Sequence, residues 1–249
     1  MMDTHCHLFH EYYDDISSVI ERAKENGVNK FIVNGYDRNS NYEVMRLIEE
    51  YDEVYGAIGF HPSECENFTE DDYNFLMRNI GHPKVVAIGE IGLDYHYEGY
   101  NKEKQIEVFK RQIDVANSIR KPIIIHCRDS INDAYNILEN VKLTKVFHCF
   151  SGNIDIAKKL INNNSYIGVG GVITFKNSKR LKDVVKNIPL EYIVLETDSP
   201  YLTPEPYRGM VNEPMYIKDI CKIVSELKGL SIKDTIRVIN DTTMEIFDI

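Results

Sequence analysis

The sequence predicts a closed (β/α)8 barrel, an α/β fold of the TIM-barrel type, that occupies residues 1–249 as a single domain. The length of 249 residues is usual for one such barrel. Eight short apolar runs alternate with longer amphipathic stretches, as in successive βα units. The first run is followed by Cys6, His7 and Leu8, whereas an open doubly wound sheet, the structural alternative, usually has a glycine-rich phosphate loop there.

The predicted strands are short runs of β-branched and apolar residues, the pattern of strands buried in a parallel sheet. They lie at residues 2–5, 30–34, 54–59, 85–90, 122–126, 145–148, 166–170 and 192–196.

Helical periodicity fills the segments between the strands. Apolar residues recur at intervals near 3.6 in two clear cases, at Ile16, Val19, Ile20 and Ala23 and at Ile106, Phe109, Ile113 and Ala116. Gly27 follows the first pattern as a helix C-cap would. Thr69 precedes three acidic residues, which predicts a capped helix start at residue 70. A proline-marked loop at 200–214 then leads into predicted helices at 215–228 and 232–247.

Composition excludes several classes of protein. Hydrophobic residues make up 43% and charged residues 27% of the chain, which is typical of a globular domain rather than a disordered one. No apolar run reaches the ~20 residues of a membrane-spanning helix, and the first residues lack the features of a secretory signal. We therefore expect a cytoplasmic protein that does not bind membranes, and a monomer is favoured. The five cysteines have no CxxC spacing, which predicts free thiols.

The charge balance limits the partners. With 29 basic and 39 acidic residues, the net charge is −10, which opposes nonspecific attraction to nucleic acid and excludes a basic DNA-coating surface. A phosphate substrate would need a local positive centre, which a bound divalent metal supplies most compactly.

Potential metal ligands end five of the predicted strands. His5 and His7 lie on one face of the first strand, where they are either hydrogen-bonded rim residues or a metal pair. In a closed barrel the strand ends border one mouth, so residues far apart in the sequence converge there. The predicted metal ligands are His5, His7, Glu90, His126, His148 and Asp198.

This set is too large for one catalytic ion, which usually takes about three protein ligands and water. The sequence therefore predicts two divalent ions, and only Glu90 or Asp198 has the two oxygens needed to bridge them. His and carboxylate ligands accommodate Zn, Mn, Co or Ni, while Mg prefers more oxygen.

Two further groups of residues lie near the predicted mouth. Cys6, Cys127 and Cys149 each follow a candidate histidine, and strand alternation predicts that their thiols turn away from the mouth if the strands continue through them. His61 ends the third predicted strand, where it either contacts substrate or hydrogen-bonds a loop.

The assembled motifs resemble the TatD family of metal-dependent deoxyribonucleases, within the amidohydrolase-like barrels. They extend over nearly the whole chain in the expected order. The matching segments are Asp3-Thr4-His5-Cys6-His7, Gly59-Phe60-His61-Pro62, Gly89-Glu90-Ile91-Gly92-Leu93-Asp94-Tyr95, Ile125-His126-Cys127-Arg128-Asp129, His148-Cys149-Phe150-Ser151-Gly152 and Glu196-Thr197-Asp198-Ser199-Pro200-Tyr201-Leu202.

The resemblance implies a barrel with two divalent ions that hydrolyses DNA phosphodiester bonds, often as an exonuclease from the 3′ end. Carried over by motif, one ion is held by His5, His7 and Asp198, and the other by His126 and His148, with Glu90 bridging. The sequence departs from the family pattern at Met210, where lysine is common, and at Phe9, where aspartate is frequent.

The mechanistic hypothesis is a metal-activated water that attacks a phosphodiester. Asp198 and Glu90 are the predicted catalytic residues, and Asp198 orients the water or accepts its proton. The predicted substrate contacts are His61, Arg128 and Arg208; for Arg128 the alternative is a salt bridge to Asp129.

The expected partner is DNA that is single-stranded or has an accessible 3′ end. The alternatives are a hydrolase of a small cyclic amide, lactone or phosphoester that uses the same chemistry, and a noncatalytic metal-binding barrel.

Overall fold

The computed structural model describes residues 1–249 and contains one sheet of eight parallel strands, in the spatial order β1 to β8. Each strand is joined to the next by a crossover connection long enough to link two parallel strands, as consecutive βα units require. The strands are β1 (Met2–Cys6), β2 (Lys30–Asn34), β3 (Val54–Ile58), β4 (Val85–Asp94), β5 (Ile123–Arg128), β6 (Lys145–Phe147), β7 (Ser165–Val169) and β8 (Ile193–Leu195).

Nine α-helices surround the sheet and fill the segments between and after the strands. None of them has both the length and the apolar character that crossing a membrane requires. The helices are α1 (Ile16–Glu25), α2 (Arg38–Glu50), α3 (Glu70–Asn79), α4 (Lys102–Ile119), α5 (Ile131–Leu138), α6 (Ile154–Ile161), α7 (Lys179–Asn187), α8 (Ile217–Lys228) and α9 (Ile232–Phe247).

The sheet closes into a barrel where the end of β8 meets β1. Cys6 forms a parallel bridge with Ser199, the His7 amide donates to Ser199 O at 2.8 Å, and the Asp198 amide donates to His5 O at 2.9 Å. These bonds lie beyond the last residue of β8, so the barrel is nearly closed rather than uniformly paired. The predicted (β/α)8 barrel is confirmed, and the open doubly wound sheet is excluded.

The predicted element ends differ most at the rim. β4 was expected to end at Glu90 but continues to Asp94, and β5 continues past His126 to Arg128. The predicted helix start at residue 70 is confirmed, and Thr69 forms a reciprocal capping box with Asp72. The longer β4 and β5 extend the rim wall on the side of His126.

Two hydrophobic clusters hold the barrel together. The larger one, of 55 buried residues, lies between the strands and the helices. The smaller one, of 9 residues, is built from strand residues such as Ile32, Ile124 and Val194 together with Ile246 and Phe247. Because Ile246 and Phe247 end helix α9, the C-terminal helix covers one end of this inner core, while the opposite rim carries the polar side chains described next.

Candidate metal centre

The six predicted ligands meet at the C-terminal rim of the barrel. His5 is fully buried, and His7, Glu90 and His148 are at most 7% exposed. The other predicted ligands border a cavity of about 880 Å³ that opens at this rim, and His5 lies beneath them. The structure therefore brings together side chains that lie on or just beyond β1, β4, β5, β6 and β8 and are separated by up to 193 positions, from residue 5 to residue 198.

Glu90 lies at the centre of the group, and its two carboxylate oxygens face different neighbours. Oε2 lies 3.3 Å from His5 Nε2 and 3.9 Å from His7 Nε2. Asp198 Oδ1 completes this side, at 3.7 Å from His5 Nε2 and 3.5 Å from His7 Nε2. At these distances the nitrogen and oxygen atoms surround a common point, and most of them are too far apart to be hydrogen-bonded to each other.

The other oxygen of Glu90 faces the remaining two ligands. Oε1 accepts hydrogen bonds from His126 Nδ1 at 2.7 Å and from His148 Nε2 at 2.8 Å. These two ring nitrogens lie 3.3 Å apart. His61 Nε2 lies 3.9 Å from the same oxygen, so a third imidazole borders this side.

The buried histidines fit a divalent cation. Both ring nitrogens of His5 are buried and have no hydrogen-bond partner, an arrangement that is unfavourable unless a ligand completes it. His7 Nδ1–H donates to the backbone oxygen of Asn34 at 2.9 Å, which leaves the lone pair of Nε2 directed at the carboxylates. A second-sphere bond of this kind fixes the tautomer that binds metal.

Local backbone features aim the two carboxylates into the mouth. The pairing of β4 with β5 changes register between Ile88 and Ile91, and such bulges re-aim side chains. Asp198 has a φ of +57°, a left-handed conformation that aspartate tolerates better than most residues. The bonds that close the barrel on either side of Asp198 hold it in this conformation beside His5 and His7.

Glycine permits the close approach of β4 to β5 next to the site. Gly92 pairs with His126, and it has a φ of +151°, while a Cβ atom there would lie 1.9 Å from the His126 carbonyl oxygen. A larger residue at position 92 would therefore displace the strand that carries His126.

Burial and mutual proximity shift the pKa values of these groups. Burial lowers the pKa of His148, but the neighbouring Glu90 carboxylate outweighs it and raises the value to about 10. Burial lowers the pKa of His5 to about 4, and the proximity of His148 contributes to this. Burial alone would raise the pKa of Glu90, but His148 and His5 hold it well below its usual value. Glu90 and His148 thus form a buried ion pair whose proton must leave before His148 can bind a metal.

Asp94 is a site residue that the sequence prediction missed. His126 Nε2–H donates to Asp94 Oδ2 at 3.1 Å, so Asp94 fixes which ring nitrogen of His126 faces Glu90. Gln105 of α4 in turn holds the backbone of Asp94, by accepting from its amide at 2.9 Å and donating to its carbonyl at 2.8 Å. The signal was present in the sequence, since Asp94 lies two residues beyond Gly92 in a matching motif, but the strand was predicted to end at Glu90.

The three predicted substrate contacts have different positions. His61 lines the cavity and also makes the predicted loop contact, because its Nδ1 bonds the Ser63 hydroxyl at 2.8 Å. Arg128 lines the cavity as well; its Nη1 donates to the Tyr97 hydroxyl at 3.2 Å. Asp129 pairs with His96, so the salt bridge considered for Arg128 is not formed.

Arg208 is not among the residues that line the cavity. It lies in the exposed loop after β8, with its guanidinium 4.1 Å from the centroid of the Phe175 ring. The role of Arg208 as a substrate contact stays a prediction.

The cysteines follow the prediction only in part. All five are free thiols, and Cys6 is fully buried with its Sγ 3.5 Å from Ile32 O. Cys127 lies within β5 and was expected to turn away from the mouth, which is wrong, because it borders the cavity. Cys149 borders the cavity as well, but β6 ends at Phe147 and Cys149 has a φ of +43°, so the condition of a continuing strand is not met there.

Comparisons with known proteins agree with this architecture. The family model described as "TatD related DNase" matches residues 2–248. The chain is 42% identical over 253 residues to the uncharacterized metal-dependent hydrolase YabD of Bacillus subtilis (strain 168), with 100% of this chain and 99% of the relative covered. It is 34% identical over 258 residues to the uncharacterized metal-dependent hydrolase YcfH of Escherichia coli (strain K12), with 100% and 96% covered.

A solved structure is also highly similar. The crystal structure of YjjV, a TatD homolog from Escherichia coli K12, matches with a TM-score of 0.96 at 30% sequence identity, and the match covers 100% of this chain and 98% of that one. The fold and the sequence motifs therefore point to the same family.

Proposed function

Because the chain belongs to the family of TatD related DNases, we propose that it is a metal-dependent hydrolase that cleaves DNA phosphodiester bonds. We further propose that it removes nucleotides from the 3′ end of single-stranded DNA or of an accessible strand. The proposal combines the family membership with the arrangement of charges and ligands at the barrel mouth.

The observation that carries the proposal is the position of Glu90. Its Oε2 atom faces His5 and His7, while its Oε1 atom faces His126 and His148. A carboxylate that presents one oxygen to each of two groups of nitrogen ligands has the geometry of a bridge between two cations.

The proposed ligands are His5, His7 and Asp198 for one ion and His126 and His148 for the other, with Glu90 shared between them. Divalent cations bound to such ligands lower the pKa of water toward neutrality and neutralise phosphate oxygens. The nitrogen-rich set favours Zn, Mn, Co or Ni over Mg. In this proposal Asp94 is a positioning residue, because it acts on the reaction only by orienting the His126 ring.

The remaining roles belong to side chains of the chain itself. His7 holds the pKa of Asp198 below its usual value against the effect of burial, which raises it. Asp198 is therefore ionised at neutral pH, and it can orient a water molecule and accept its proton. Arg128 offers a guanidinium to a phosphate oxygen, since no carboxylate is paired with it. His61 faces the cavity through Nε2 and is the second proposed phosphate contact.

A nuclease assay on end-labelled DNA after metal reconstitution tests the proposed function. The protein is freed of metal with a chelator, reloaded with Zn, Mn, Co, Ni or Mg, and given single-stranded DNA labelled at either the 5′ or the 3′ end. We expect metal-dependent release of mononucleotides from the 3′ end, loss of activity with chelator, and strongly reduced activity in Asp198→Asn with the fold retained.

Small substrates provide the contrasting arm of the same assay. A panel of lactones, cyclic amides and phosphoesters is tested with the same metal-loaded protein. Turnover of one of these without cleavage of DNA would replace the nuclease proposal with a small-molecule hydrolase. Bound metal without turnover of any substrate would instead indicate a noncatalytic barrel.

A further inference from the structure

Three tyrosines form one side of the mouth cavity, and we call them the aromatic wall: Tyr12, Tyr36 and Tyr201. All three line the cavity, and the Tyr201 side chain is 49% exposed. The ring centroids of Tyr12 and Tyr201 are 5.8 Å apart. The wall therefore places three aromatic side chains beside the space in front of the proposed metal ligands.

Hydrogen bonds between the hydroxyl groups hold the wall in place. The Tyr201 hydroxyl donates to the Tyr12 hydroxyl at 2.9 Å, the hydroxyl groups of Tyr12 and Tyr36 lie 3.0 Å apart, and the Tyr36 hydroxyl donates to Glu11 at 3.2 Å. Because this chain of bonds fixes the three side chains relative to one another, little conformational entropy remains to be lost when a ligand packs on them.

The wall begins directly beside the proposed metal ligands. The His7 ring centroid lies 5.6 Å from that of Tyr36 and 6.1 Å from that of Tyr201. Phe9 is buried behind the wall, 5.8 Å from Tyr36. A planar group covalently linked to a phosphate at the ligands would therefore reach the wall without spanning any intervening residue.

The charges of the cavity do not favour a polyanion held along its backbone. Arg128 is the only lysine or arginine in the lining, and two lining carboxylates, Asp94 and Asp129, remain beside the proposed metal ligands Glu90 and Asp198. The guanidinium of Arg128 lies 5.2 Å from the Tyr97 ring centroid. One cation cannot follow several successive phosphates, so most of the affinity for a nucleic acid must come from the aromatic surface and from the reacting phosphate itself.

From this arrangement we infer that the aromatic wall of Tyr12, Tyr36 and Tyr201 is a nucleobase-stacking subsite that selects unpaired nucleotides next to the scissile phosphate. The inference rests on the proposed function, since it places the phosphate at the metal ligands. A base inside a duplex is already stacked on both sides and faces its partner strand, so it must unstack before it can reach the wall. An unpaired base at a strand end is free to pack on the tyrosine rings.

The experiment combines a change in the wall with removal of a base from the substrate. The metal-loaded protein cleaves a single-stranded tetrathymidylate, or the same oligonucleotide with an abasic residue on one side of the scissile bond. The variants are Tyr201→Leu, which removes the ring, and Tyr201→Phe, which keeps it. Tyr42→Leu is the matched control, because Tyr42 is 58% exposed but lies on α2 outside the cavity.

Stacking of one base predicts that its removal lowers kcat/KM of the unaltered protein by about 5- to 150-fold, which corresponds to ~1–3 kcal/mol. In Tyr201→Leu, kcat/KM on the base-bearing substrate is expected to fall by a similar factor. On the abasic substrate, kcat/KM of this variant should be close to that of the unaltered protein. Tyr201→Phe retains the dependence on the base, and Tyr42→Leu behaves like the unaltered protein. An undiminished dependence on the base in Tyr201→Leu would overturn the subsite, even where cleavage of DNA supports the proposed function.

A binding measurement separates the two proposals. Slowly hydrolysed phosphorothioate forms of the same oligonucleotides are titrated into the metal-loaded protein, and affinity is followed by fluorescence anisotropy. If the unaltered protein prefers the base-bearing form and Tyr201→Leu does not, the subsite is supported even when no DNA is cleaved, and only the nuclease proposal fails. Equal affinity of the unaltered protein for both forms would overturn the subsite.

Discussion

The substitution Asp94→Asn tests how the His126 ring is oriented. The Asp94 carboxylate accepts from His126 Nε2 at 3.1 Å and from the His96 amide at 2.9 Å. An asparagine of the same shape can still accept from the His96 amide, but it then presents an NH2 group to Nε2. This favours the His126 tautomer with its proton on Nδ1, the atom that faces Glu90 and is proposed to bind metal.

The size of the effect follows from the role of such second-sphere carboxylates. Their loss typically weakens metal binding by ~10- to 100-fold, which corresponds to ~1.4–2.8 kcal/mol. The affinity is measured by competition with a chromophoric chelator at neutral pH, and thermal unfolding of the chelated protein shows whether the fold is intact. We expect weaker binding of one ion only, because His5 and His7 do not contact Asp94.

Asp129→Asn is the matched control for this measurement. Asp129 also pairs with a histidine, since its Oδ2 accepts from His96 Nδ1 at 2.9 Å, but neither residue is a proposed ligand. The metal affinity of Asp129→Asn should stay within about twofold of that of the unaltered protein. Unchanged affinity in Asp94→Asn, or an equal loss in both variants, would refute the positioning role of Asp94.

Four further predictions concern metal content, stability, pH and salt. Glu90→Ala should bind less than one ion per chain by elemental analysis, because both proposed groups lose a ligand; full occupancy would contradict the shared role. Asn41→Leu should lower the free energy of unfolding in urea by ~2–6 kcal/mol, because it leaves the Gly59 amide and carbonyl, now bonded at 2.9 and 2.6 Å, without partners; a loss below about 1 kcal/mol would disprove this. The buried His148 has its pKa raised from 6.5 to about 10, so its contribution to stability is complete below pH 6.5 and disappears as the pH rises through 10. Chelated protein should therefore lose stability to urea between pH 7 and pH 10, and a slope that persists in His148→Gln would show that other groups cause it. Since Arg128 is the only lysine or arginine in the lining, log kcat/KM of the metal-loaded protein on single-stranded DNA should fall with log salt concentration with a slope near −0.7 to −1.4, whereas a slope steeper than about −3 would indicate an extended phosphate path.

The barrel and the candidate ligands were predictable because both follow from short-range patterns. Parallel strands produce apolar runs, and the residue that ends each run lies at the rim of a closed barrel. Glu90, His126 and His148 end such runs, so their convergence needed no side-chain detail. The family predicted from the ordered motifs is confirmed by the model that matches residues 2–248.

Other features depend on where strands end, and the sequence does not determine those ends closely. Asp94 was missed because β4 continues four residues beyond Glu90 through a register shift, which an apolar run does not reveal. Strand alternation does not apply to Cys149 for the opposite reason, because β6 ends before it. Strand length at a rim is determined by pairing with the neighbouring strands, which is a tertiary property.

The aromatic wall shows a second limit of the sequence. Tyr12, Tyr36 and Tyr201 follow β1, β2 and β8 in loops without periodicity, and the chain contains 16 tyrosines in all. Only the closure of β8 against β1 brings these three together.

The most direct test of the account is a crystal structure of the metal-loaded protein, with anomalous scattering used to locate the ions. We predict two anomalous peaks at the C-terminal rim, one beside His5, His7 and Asp198 and the other beside His126 and His148, with one Glu90 oxygen bound to each ion. Peaks outside the barrel mouth, or ions at the mouth that Glu90 does not contact, would contradict the account.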